Sequence, residues 1–486
     1  MTTPGRSGGT PRWAPWALLA LTLLAACGRF PFLTAQDLWF DEVFSVVLAS
    51  QDLAELLRRA LADQTNPPGF YVALWAWIHA GGVEESWIRA LPALAGTLTI
   101  PLVVLLGRAL GQRWGTALTG GLLAAASPLL LAMSVEVRAY APLALLTTGS
   151  LLLAVRLRVA GGRAPRRAGL ALALVDGALV LLHYFGALVV LARIVAAFVD
   201  SRAEDPAVRR HVRTLAMVTG LPAALLLAAW FAVVLAASTG GAVGGNASWI
   251  PAPGTDAFLG FGSLVVGTFG SPAASWAVAL ALLAATVVAG RRPYAAWLIV
   301  PFALPLLIVL AAGAATGRSL WVGRYLVVAL PAALLLLAGL TAELGRSLPR
   351  PWRAATAALL SAWAVAAGGI ALFDGPAKPP WSRIVPALAA GGPVTVCVNE
   401  PYVGLPLQYH AVRARVPVRV AELRECAPGG GRAWVMLRPG TEASLAPLRE
   451  RGARFGPARA LGTELPPVLL QRLEWAPEQP PEQPPE

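Results

Sequence analysis

The sequence predicts an α-helical polytopic membrane protein of about eleven transmembrane helices followed by a small extracytoplasmic α/β domain. Three observations carry that prediction. The chain of 486 residues is 57% hydrophobic and 13% charged, whereas a soluble domain averages about 25% charged. Many windows reach the roughly 20 apolar residues needed to cross a bilayer. The few polar residues gather in tight clusters: Asp41-Glu42, Glu136-Val137-Arg138-Ala139-Tyr140, His183-Tyr184 and Arg324-Tyr325. Threaded through a membrane, all four clusters reach the same side.

Apolar runs place spans at 13–34, 88–108, 115–134, 139–157, 168–183, 186–199, 214–237, 273–290, 294–314, 323–341 and 354–372. The first run follows Arg6 and Arg12; it is long for a signal core, so it reads as a retained anchor. The net charge of +13 comes almost wholly from arginine, Lys378 being the single lysine. These arginines lie in short loops between apolar runs, which the positive-inside rule explains better than nucleic-acid binding. Arg108 and Arg113, the set from Arg156 to Arg167, Arg202 to Arg213, Arg291-Arg292 and Arg346 to Arg353 all fall on one face. That face is cytoplasmic, as is the N-terminus, in a multi-pass protein of the cell membrane.

The first external loop, 35–87, has its own pattern. Leu53, Leu56, Leu57 and Leu61 recur at helical spacing, with Ser50 as N-cap, Asp52 in the first turn and Arg58-Arg59 near the end. Residues 68–82 are apolar but short, and their tryptophans suit a helix at the interface or re-entering it. Counting them as a span would place Arg108 outside and Glu136 inside. Two interfacial helices thus frame Asn66-Pro67-Pro68. The glycine-rich loop Gly240–Gly245 reads as a linker in preference to a lid.

Residues 1–372 form the transmembrane domain, and composition changes after it. Strand-like runs at 394–398, 416–420, 433–437 and 468–473 alternate with helical stretches near 401–411 and 442–452, which gives an α/β domain over 373–475. Cys397 and Cys426 lie here, and they are either a disulfide of an exported domain or two buried thiols. The Pro/Glu/Gln repeat at 476–486 is low in complexity and expected to be disordered.

Asp41 and Glu42 sit in an apolar context. They are either a solvated loop pair or, if buried, carboxylates suited to general-base work. Glu136 and Arg138 interrupt apolar flow, as a local ion pair or as functional groups. Arg138 and Arg324 match a phosphate's oxygens. His183 ends a span and is structural or functional on equal terms. No Cys/His metal spacing, P-loop or dinucleotide fingerprint is present.

In this order and spacing the clusters resemble the GT-C class of membrane glycosyltransferases. The resemblance is to the glycosyltransferase 39-like group, which includes protein O-mannosyltransferases, aminoarabinose transferases and RgtA/B/C/D-like proteins. It is carried by Phe40-Asp41-Glu42, by Asn66-Pro67-Pro68-Gly69-Phe70-Tyr71 and by Trp87 to Gly96. Glu136 to Tyr140, His183-Tyr184-Phe185 and Arg324-Tyr325-Leu326 with Pro331 complete it, over residues 13–341.

The resemblance implies an enzyme that moves a sugar from a polyprenyl-phosphate donor to an envelope acceptor (lipid, glycan or protein), with inversion, at the extracytoplasmic face. It implies Asp41, with Glu42 beside it, as base or acceptor-orienting group. Glu136 would position acceptor or a divalent metal, and Arg138, Arg324 and Tyr325 would hold the donor phosphate. Tyr140, His183, Tyr184 and Asn66 are further site candidates. Two departures stand out: Asn66 replaces the family's His or Lys, and Pro380-Trp381-Ser382-Arg383 lacks the acidic residue of an Asp-Trp-Arg element. The rival classes are a flippase of lipid-linked sugars and a non-catalytic polyprenyl-lipid binder. A transporter would place its charges near the midplane, with internal repeats; here they lie at one face and no repeat is evident.

Overall fold

The computed structural model describes residues 10–475 except 64–65, 162–164, 238–253, 269–270, 293–294, 318, 347, 350–361, 364–365, 367–368, 370–377, 400, 427–431, 438–441 and 462–467. The chain divides into two units. The first comprises 1–33 and 48–373; the second comprises 34–47 and 374–486.

The first unit is helical. Its elements are α1 Ala14–Cys27, then, after α2 (Phe40–Ala49, which begins in the second unit), α3 Leu53–Asp63, α4 Gly69–Gly81, α5 Glu85–Ala109, α6 Trp114–Ala126 and α7 Pro128–Ser134. There follow α8 Tyr140–Ala160, α9 Arg166–Leu182, α10 Gly186–Asp200, α11 Pro206–Ala237, α12 Thr255–Val266, α13 Pro272–Ala289, α14 Ala296–Thr316 and α15 Leu330–Arg346. Seven described helical segments are long and apolar enough to cross a membrane, and α6 with α7, bent by 54°, makes an eighth. The bend falls at Pro128, which has no N–H to continue the hydrogen-bond ladder. Of the eleven spans read from sequence, those at 168–183 and 186–199 are helices of only 17 and 15 residues. The span at 354–372 lies largely outside the described residues, as do the Gly240–Gly245 loop and the 476–486 tail. The chain is a multi-pass membrane protein.

α15 is the innermost helix: Leu330 to Ala338 are all buried, and α6, α13 and α14 pack around it. α5 carries Pro92 and Pro101 within its length, tolerated because neighbouring helices re-satisfy freed backbone groups. Between α8, α9 and α10 lies a charge-matched knot. Arg193 Nη2 is 2.7 Å from Asp176 Oδ2, both side chains at most 1% exposed, and Ser150 Oγ donates to Asp176 Oδ1 at 2.6 Å.

The first-loop helices form much as their sequence periodicity demands, with one correction. The N-cap of α3 is Asp52 in place of Ser50: its carboxylate accepts the Glu55 N–H at 2.9 Å. Asp is as good a cap as Ser, and Asp52 stands one residue before the first helical turn.

The second unit is an α/β sandwich. β1 Val394–Val398 lies between β2 Val418–Glu422 and β3 Arg432–Leu437, parallel to both. β6 Val468–Trp475 runs antiparallel to β3 and also pairs β4 Ala453–Phe455 and β5 Arg459–Leu461. Alternation along β1 divides its side chains. Val394, Val396 and Val398 face a core shared with α16 Trp381–Ala389 and α17 Leu405–Ala414, while Cys397 faces the opposite core, shared with α18 Ala446–Glu450. Cys397 and Cys426 form a disulfide, with Cα atoms 6.2 Å apart.

The stretch 34–47 enters this unit through long-range contacts. The Ser382 N–H donates to Asp37 Oδ2 at 2.7 Å, His410 Nε2 lies 3.0 Å from the Leu38 carbonyl, and Lys378 meets Glu42.

Candidate active site

In the helical unit three chain reversals converge: 135–139 between α7 and α8, 183–185 between α9 and α10, and the 3-10 turn Gly323–Ala329 before α15. Each exists because its flanking helices stop. α7 ends at Ser134, whose side chain is held by the Nε–H of buried Arg29 at 3.0 Å. The next residues reverse tightly, the Arg138 N–H donating to the Glu136 carbonyl at 2.7 Å. Glu136, Arg138 and Tyr140 are all buried.

The second reversal is compressed. Its closing bond runs from the Gly186 N–H to the His183 carbonyl at 2.8 Å. A Cβ at Gly186 would lie 2.1 Å from the Leu179 carbonyl oxygen, so only glycine fits. Gly69 shows the same constraint, 2.5 Å from the Leu181 oxygen. That contact seats the Asn66-Pro67-Pro68-Gly69 entry to α4 against the end of α9.

The side chains meet in a ring cluster. Tyr325 lies 5.1 Å from His183, 5.3 Å from Phe185 and 5.9 Å from Tyr140, centroid to centroid. Tyr140 and His183 are 5.8 Å apart. The Arg324 guanidinium stands 5.8 Å from the Tyr140 ring and 6.0 Å from the Tyr325 ring, within reach of cation–π attraction. His183 Nδ1 accepts the Phe185 N–H at 3.1 Å, so in the neutral ring Nε2 carries the proton. The cluster thus offers the guanidiniums of buried Arg138 and part-exposed Arg324, with an imidazole ring, among aromatic faces. It fits an anion with apolar or sugar-like surroundings.

Tyr184 turns elsewhere. Its hydroxyl accepts the Trp230 Nε1–H at 3.1 Å, and its ring stacks on Phe231 at 5.4 Å. Extended backbone at His183 (φ −161°, ψ 144°) sends consecutive side chains to opposite sides. Asn66 lies half-buried in the bend before α4.

In the second unit the carboxylate pair is divided. Asp41 and Glu42 occupy the first turn of α2, where the helix dipole favours negative charge. Glu42 is fully buried, its Oε2 2.7 Å from Lys378 Nζ, and it accepts the Trp39 N–H at 3.5 Å. Lys378 also stands 5.7 Å from the Trp39 ring. Asp41 is half-exposed. Sequence reasoning missed Lys378, although a single lysine in an otherwise all-arginine chain was a signal. Among the described residues no three His, Cys, Asp or Glu side chains are grouped to hold a metal ion.

No family model and no curated protein matches the chain. Solved structures do. The apo form of ArnT from Cupriavidus metallidurans aligns with a TM-score of 0.57 at 16% identity, over 94% of this chain and 97% of that one. The same protein bound to undecaprenyl phosphate gives 0.54, with the same identity and coverage. The oligosaccharyltransferase AglB from Archaeoglobus fulgidus, solved with an inhibitory peptide and a dolichol-phosphate, gives 0.52 at 13% identity, over 91% of this chain and 73% of that one. The helical bundle, its interfacial first-loop helices and the C-terminal α/β unit together have the fold of the GT-C membrane glycosyltransferases.

Proposed function

We propose that the chain is a glycosyltransferase that moves a sugar from a polyprenyl-phosphate donor to a cell-envelope acceptor, at the extracytoplasmic face and with inversion. One observation supports this above all: Arg324 and His183 meet in a ring cluster with Tyr140 and Tyr325 at the turns of the bundle, where Arg138 is buried. Lipid phosphates are also what the similar structures of ArnT and AglB hold.

In this proposal Arg138 and Arg324 grip the donor phosphate, with Tyr325 and Tyr140 as the platform beneath them. The acceptor oxygen or nitrogen attacks the anomeric carbon from the face opposite the phosphate. Asp41 takes the acceptor's proton while the bond from carbon to phosphate oxygen breaks. The departing phosphate gains negative charge, and pre-placed guanidiniums stabilise that charge more in the transition state than in the donor. His183 Nε2–H adds a neutral donor. Glu136 orients the acceptor. Glu42, paired with Lys378, holds the helix that presents Asp41.

The test is Asp41→Asn in membranes supplied with radiolabelled polyprenyl-phosphate sugars, with the exposed Glu450→Gln as control. Transfer by wild type and Glu450→Gln, lost in Asp41→Asn at equal expression, is the expected result. Undiminished transfer in Asp41→Asn removes Asp41 from the role of base. If wild type transfers nothing from any donor, a lipid-linked sugar translocator or binder replaces the enzyme.

A further inference from the structure

A polar cavity lies at the other end of α15. Tyr325 and its 3-10 turn precede α15; Arg346 ends it. The 17 residues of α15 span about 25 Å at the helical rise of ~1.5 Å per residue. Around that far end, a cavity of about 380 Å³ is lined by the start of α6, the end of α13, the start of α14 and the end of α15. Ligand pockets run from roughly 300 to 1,000 Å³.

Its lining is amphiphilic. Arg113, Arg292 and Arg346 supply three positive charges and Glu343 one negative charge. Glu343 bridges Arg292 and Arg346, which leaves the rim with two positive charges in excess. Val288 and Leu336 form part of the apolar wall. On the same α13, Leu283 and Val287 are strongly exposed, as residues facing hydrocarbon are. The arginines stand on the face that the sequence reads as cytoplasmic.

We propose that this cavity binds one anionic phospholipid, its phosphodiester held by Arg113, Arg292 and Arg346 and an acyl chain laid along Val288 and Leu336. A basic pocket between transmembrane helices at the membrane surface is where an anionic headgroup is stabilised by both charge and depth. A soluble phosphate would meet the arginines but leave the apolar wall uncovered, so the lipid is the better match. The site is separate from the ring cluster and does not depend on sugar transfer.

Native mass spectrometry of the detergent-purified full chain tests this, with phosphatidylglycerol, phosphatidylcholine and glycerol 3-phosphate as probes. Phosphatidylglycerol is expected to bind at least about tenfold tighter than phosphatidylcholine, as two excess charges at a membrane surface predict. Arg292→Gln and Arg346→Gln are each expected to weaken it about fivefold. Glu343→Gln is expected to strengthen it, a gain that misfolding cannot produce. Equal binding of the two lipids overturns the proposal. So does a Glu343→Gln variant with unchanged affinity. Displacement of the lipid by an equal concentration of glycerol 3-phosphate would make this a soluble-phosphate site and overturn the lipid.

Discussion

Two polar groups in the helical unit look alike in sequence and differ in kind. Asp176, Arg193 and Ser150 form a knot between α8, α9 and α10, one negative charge facing one positive charge inside a bundle. Arg138, Arg324 and His183 sit where helices stop and turn. There Glu136, Arg138 and His183 are buried and Arg324 is part-exposed. A matched pair closed among helices holds a fold together. Charged groups at chain reversals, beside aromatic faces, are where we propose that a ligand is held. Buried charge alone is therefore no sign of a site; its position is.

The comparison breaks or sharpens under three changes. The largest effect should come from Asp176→Ala, which strands Arg193 in the bundle; leaving one partner of a buried pair unpaired costs about 3–5 kcal/mol. Thermal melting in detergent should show it, and the double replacement Asp176→Leu with Arg193→Met should recover most of the loss, since apolar substitutes for a buried pair are often neutral. If the double variant instead abolishes transfer while folding normally, the knot belongs to the chemistry.

Arg324→Gln should do the reverse. Transfer should fall about 10²–10³-fold, the usual effect of removing one pre-placed electrostatic group, with melting almost unchanged. A large loss of stability without a specific loss of transfer would make Arg324 a structural residue.

The smallest effect is a baseline. Asp52→Ala removes the cap of α3, outside both groups, and should cost about 1 kcal/mol with transfer per folded molecule unchanged. Lost transfer there would give the first-loop helix a part in binding.

Much of this was legible in the sequence, for definite reasons. β1 was read to the residue because Val394, Val396 and Val398 fill one core while Cys397 faces the other, which leaves the whole run apolar between turn signals. β4 and β5, at three residues each, are too short to show any period. α9 and α10 were read as spans from hydropathy, which measures composition and not length; their helices stop at Leu182 and resume at Gly186. At the candidate site, Arg138, Tyr140, His183, Arg324 and Tyr325 were named from their interruption of apolar runs, and the structure brings them together. Tyr184 was named for adjacency alone, and the extended His183 backbone turns it toward Trp230. The Asp41-Glu42 pair was read as one unit because no periodicity reports on a lysine hundreds of residues away.

That separation has a consequence for how the protein is made. Glu42 and Lys378 are 336 residues apart in the chain. At roughly 5–20 residues per second, Glu42 leaves the ribosome some 20–70 s before its partner does. For all that time the segment that presents Asp41 has no sheet to join, while the helices after it are already being inserted. Helix α2 is thus a late arrival to its own unit, and any chain cut short before Lys378 carries a first loop that cannot be completed. The helix that carries Asp41 and Glu42 is set in place only after Lys378 has been made.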